Sequence, residues 1–79
     1  MDIGNVDYHL EFYTGRANQV EHYRMRGPFI PPRQGERVHL HKGSLILDVT
    51  RVVHDFVEHD GGSIEHVVKV FGDEVPSLE

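Results

Sequence analysis

The chain has 79 residues, no cysteine and a formal charge of −5, which is enough for one domain and too little for a second core. The lack of cysteine excludes disulfides, a thiolate nucleophile and thiolate metal sites. No apolar run approaches the roughly 18 residues of a membrane span, and the opening MDIGNVDYHL lacks the basic start and apolar stretch of a signal peptide. The expected location is therefore cytoplasmic, with no membrane partner. A domain this small buries only about 60% of the surface its unfolded chain exposes, so self-association into a homo-oligomer is the expected way of supplementing the core.

The stretch Val6-Asp-Tyr8-His-Leu10-Glu-Phe12 alternates apolar and polar residues, as a strand with one buried face does. Turn formers Thr14 to Asn18 lead into a second extended run, Val20 to Met25, and the two form a hairpin. Val20, Tyr23 and Met25 are its candidate inward residues. Because Val20 and Tyr23 are three apart, an extra residue in this strand would be a bulge. Three prolines and two glycines make Gly27 to Gly35 a loop. Glu36 to His41 alternates again with Val38 and Leu40 inward, and His-Lys-Gly-Ser turns the chain into Leu45 to Val49. Alternation then continues to Phe56 only if a bulge near Thr50 and Arg51 lets Val49, Val52, His54 and Phe56 share one face. Asp60-Gly61-Gly62 is a turn, and Ile64 to Phe71 is a last strand with Val68 and Val70 inward and Lys69 outward.

Five strands and no helix predict an all-β domain over residues 1–72, with an acidic, loose tail over 73–79. Curling the sheet is the simplest way for so many short strands to bury one face each. The expected form is a strongly bent, antiparallel, SH3-like small barrel, with an OB-like barrel as the alternative.

The run Pro31-Pro-Arg-Gln-Gly-Glu-Arg-Val-His-Leu, continued by Leu47-Asp-Val-Thr-Arg-Val-Val-His-Asp-Phe and His66-Val-Val-Lys-Val, resembles short uncharacterised bacterial and phage proteins with SH3-type barrels. The resemblance spans at most residues 28 to 71 and implies a fold, transferring no catalytic or ligand residue.

Charge is unevenly placed. From Arg16 to Lys42 six basic residues (Arg16, Arg24, Arg26, Arg33, Arg37, Lys42) face two acids (Glu21, Glu36), a local +4 that leaves −9 for the remainder. Arg24 and Arg26 precede the proline loop bearing Phe29 and Arg33, and Arg37 and His39 follow it. Guanidinium groups beside an aromatic ring suit a phosphate or a nucleotide base through bidentate hydrogen bonds and stacking. The competing reading pairs these arginines with the acidic second half, within the subunit or across an interface. Phe29-Ile30-Pro31-Pro32 is either an exposed contact surface or a cap over one end of the barrel, and capping is favoured.

Seven histidines include His39 and His41, two apart, which could ligate a metal if His22, His54, His59 or His66 supplied a third imidazole. Two solvated rings flanking Lys42 are the favoured reading, so neither a metal nor another cofactor is assigned. His54 and His66 fall on inward faces, each expected to donate to a backbone carbonyl, and His54 points away from Asp55. Ser44, Ser63 and Ser77 lack a nucleophile-elbow setting, and there is no phosphate loop or paired-carboxylate motif. The expectation is a non-enzymatic binding module that uses Arg24, Arg26, Phe29, Arg33, Arg37 and His39 for a small anionic or nucleotide ligand or an acidic protein. A phage protein that sequesters a signalling nucleotide would be one instance. The alternative is a homo-oligomeric assembly protein in which these arginines meet Asp55, Glu58 and Asp60 of a neighbour. Generic nucleic-acid binding is disfavoured by the net charge.

Overall fold

The computed structural model describes residues 6–15 and 18–76. Arg16 of the basic island, Ser77 and the last residues of the expected tail lie outside the described residues. Five strands form, β1 (Val6–Thr14), β2 (Asn18–Met25), β3 (Arg37–Leu40), β4 (Leu45–Glu58) and β5 (Ile64–Glu74), in one sheet of order β2-β1-β5-β4-β3. The sheet is mixed. Three pairings are antiparallel, but β1 and β5 run parallel in a register that joins Val6 to Ile64 and Phe12 to Val70. The expectation of a wholly antiparallel sheet is corrected at this pair. β2 and β3 join β1 and β4 as hairpins, whereas β1 meets β5 only after the intervening strands have carried the chain round, and a long crossover permits the parallel sense.

Both expected bulges are present. Phe12 pairs with Glu21 and Tyr13 with Gln19, so Val20 is the extra residue in β2, and Val20 and Tyr23 both pack on the core despite their spacing. In β4, Val49 opposes Gly72 and Arg51 opposes Phe71, leaving Thr50 as the extra residue. An inserted residue bends and twists its strand, and this curls the sheet nearly closed around Phe12, Leu40, Leu47, Val49, Val68 and Val70. The seam lies between β2 and the turn after β3, where a Cβ on Gly43 would stand 3.4 Å from Glu21 Oε2. Phe29 packs against the core while Ile30 beside it is 92% exposed, so the proline loop caps the core with Phe29 and leaves Ile30 outside.

The paired backbone passes the expected start of the tail. β5 runs to Glu74, and Val75 N–H donates to Ile46 O at 2.8 Å. Among the described residues no helix is long and apolar enough to cross a membrane.

Candidate functional site

Cross-strand register sorts the polar residues between two faces, because residues directly opposite one another share a face. On the outer face the basic residues are largely engaged. Arg37 of β3 sits opposite Asp48 of β4 and grips it with two hydrogen bonds, Nε to Oδ1 at 2.7 Å and Nη2 to Oδ2 at 3.1 Å. That grip holds Asp48 below the usual carboxylate range. Arg24 of β2 reaches Asp7 Oδ1 at 3.1 Å, and Lys69 reaches Asp55 Oδ2 at 2.9 Å. Arg26, just beyond β2, and Arg33, in the loop, form no ion pair among the described residues. Arg33 enters the loop's bonding through its backbone, whose N–H donates to Glu36 Oε1 at 2.7 Å. Arg24 and Arg37 therefore stand on the two edge strands of the sheet, each with its own carboxylate, and the Phe29 ring is committed to the core. Among the described residues no shared hydrogen bond or stacking contact joins these expected ligand residues.

Six of the seven histidines pair among themselves, while His59 Nε2 lies 3.7 Å from Glu65 Oε2. His9 Nδ1 lies 2.9 Å from His22 Nε2 on the outer face, with the rings stacked. His54 Nδ1 lies 3.0 Å from His66 Nε2 on the inner face, in place of the expected donation to backbone carbonyls. His39 and His41 are edge-to-face at 5.6 Å, but His41 belongs to a 3-10 turn, His41–Gly43, rather than to the strand. With Leu40, Ser44, Leu45, Ile46 and Val75 they line an open cavity of about 220 Å³. No group of three or more metal-ligating side chains occurs among the described residues.

The inner face runs on beyond the core. Val70, Val68 and His66 of β5 oppose Val52, His54 and Phe56 of β4, and Tyr8 of β1 flanks His66 on the other side. Phe56 stacks on His66 with ring centres 4.4 Å apart, and Tyr8 meets that imidazole edge-on at 6.0 Å. Yet Phe56 is 65% exposed, because among the described residues none closes over this end of the sheet. The backbone beside it is open too. β3 pairs with β4 only over Leu45–Asp48, and Gly35 and Glu36 extend that ladder to Val49. Among the described residues no strand lies on that side of β4 from Thr50 to Glu58. Sequence reasoning placed Phe56 and His54 inward but missed their exposure, since alternation reports a face and not whether anything covers it.

Two titrations follow from these contacts. Burial, and then the charge of His54, hold His66 below its ordinary value of 6.5. The unfolded chain therefore takes up this proton first. The stabilisation is complete above pH about 6.5 and is lost as pH falls below it toward the lower folded value. The melting temperature is expected to decline over that range and to decline less in His66→Gln; parallel pH profiles would rule His66 out as the source. On the outer face Tyr13 is pushed up to about 12 by the hydrogen bond its hydroxyl donates to Glu11, then by burial and nearby acids. Glu11→Gln is expected to bring it back toward 10, read by tyrosinate absorbance.

The chain matches no family model, curated protein or solved structure.

Proposed function

We propose that the chain is a non-catalytic interaction module whose working surface is the uncovered part of the sheet, where an extended polypeptide segment adds beside β4. The observation that carries this reading is the coincidence of an open strand edge, Thr50 to Glu58, with the 65% exposed Phe56 ring on the same segment. Main-chain hydrogen bonds along such an edge supply affinity, and the alternating side chains beside it supply selectivity. The carboxylates already held by Arg24 and Arg37 weigh against the basic island as an anion site. Native mass spectrometry of the purified protein tests the reading. Protein-only species are expected, and a nucleotide or other small anion retained in stoichiometric amount would overturn it.

A further inference from the structure

Resting on that reading, we infer that the segment added beside β4 is β4 of a second copy, paired antiparallel about a two-fold axis that passes at His54. The open run is Thr50-Arg-Val-Val-His-Asp-Phe-Val-Glu58, bounded on one side by the β3 ladder and on the other by the turn at Asp60 to Gly62. Two copies of one strand can share the whole of this run only if its midpoint, His54, faces itself. Shifting the axis toward the bulge would drive the second copy into Gly35 and Glu36, which already occupy Val49.

The side chains suit this arrangement. On the inner face Val52 of one copy falls opposite the partner's Phe56, and the converse, so each exposed ring gains an aliphatic neighbour. On the outer face Arg51 lies diagonal to the partner's Asp55, within reach of a long side chain. Arg51 and Asp55 do face outward, because Arg51 lies over the Phe71 ring at 4.3 Å and Asp55 holds Lys69. The run also lacks two of the usual devices that blunt an edge. It has no proline and no lysine, and its one bulge sits at the start, where β3 ends. The exposed Phe56 and Val57 lie along it. Joining the two edges would turn two five-stranded sheets into one of ten strands and would remove an open edge from each.

The absence of cysteine makes the test clean. Directly opposed residues of antiparallel strands have Cα atoms about 4.5–5.5 Å apart, within disulfide range. A single His54→Cys substitution is therefore expected to yield a covalent dimer on mild oxidation, while Ile30→Cys, on the exposed proline loop, is not. Sedimentation of the unmodified chain is expected to give a dimer, and Phe56→Lys to weaken association on the order of tenfold or more while keeping the β-sheet circular dichroism signal. A monomeric wild type, or His54→Cys cross-linking no faster than Ile30→Cys, would overturn the inference, with the cysteine arm independent of whether Phe56→Lys folds. A monomer that selects extended peptides from a display library in a Phe56-dependent way would overturn the second copy and leave strand addition standing. A monomer that retains a nucleotide would overturn both.

Discussion

Leu47→Ala is expected to cost about 2–5 kcal/mol, a large part of what a chain of this length can hold in reserve. Leu47 is 0% exposed and faces inward from β4, opposite Val38 of β3, in the cluster with Phe12, Val49, Val68 and Val70. The cavity left by truncation would be walled by β strands tied on both sides, which limits collapse and places the cost toward the upper end. Thermal and urea melts followed by circular dichroism check this, with each kcal/mol worth about 4–8 °C in a domain of this size. Phe56→Ala provides the contrast, since it removes a larger side chain from the same face of the same strand but from a position 65% exposed. Measured on the dissociated chain, it should cost clearly less than Leu47→Ala. Equal losses would mean that Phe56 is covered by something within the chain.

Gly72→Ala is the second large effect, although it adds only one methyl group. Gly72 opposes Val49 at the bulge, and a Cβ there would stand 2.7 Å from the Asp48 carbonyl oxygen and 3.3 Å from Leu47 Cβ. The obstructing atom is backbone and cannot rotate away, so either β4 or β5 must shift where β4 bends. Such overpacking costs about 1–3 kcal/mol. The neighbouring bond from Val49 N–H to Glu36 O, 2.9 Å long, should loosen with it, and amide hydrogen exchange at Val49 would report that. Wild-type stability together with unchanged protection at Val49 would show that the two strands do not approach so closely.

These two sites also mark how far the sequence could be read. The bend at Val49 to Arg51 was visible because hydrophobic alternation slips by one residue there, and the β2 bulge because Val20 and Tyr23 are an odd number apart. The Arg37–Asp48 pair was within reach as well, since a tight turn joining Leu40 to Leu45 sets those two residues opposite each other. The parallel β1–β5 pairing was not, because alternation along a strand says nothing about which strand lies beside it or in which direction. The histidine pairs were hidden for the same reason. His9 with His22 and His54 with His66 meet across strands, so their contacts depend on register rather than on local spacing. The uncovered end of the sheet was illegible too, because Phe56 has the same pattern as a core residue and differs only in what fails to pack above it.

The central position of β5 has a kinetic side. Each β1 residue pairs with one 58 positions further along the chain, as Val6 does with Ile64, and β5 alone links the β1–β2 hairpin to the β3–β4 hairpin. Until Ile64 to Glu74 has left the ribosome the two hairpins have no ladder in common, and the inner faces of both stay wet. Closing so distant a contact carries a large loop entropy, which places folding among slow, topology-limited β proteins, in milliseconds to seconds. During that interval the edges of β1 and β4 that β5 will cover are open to neighbouring nascent chains, and crowded synthesis would raise the share of mispaired assemblies.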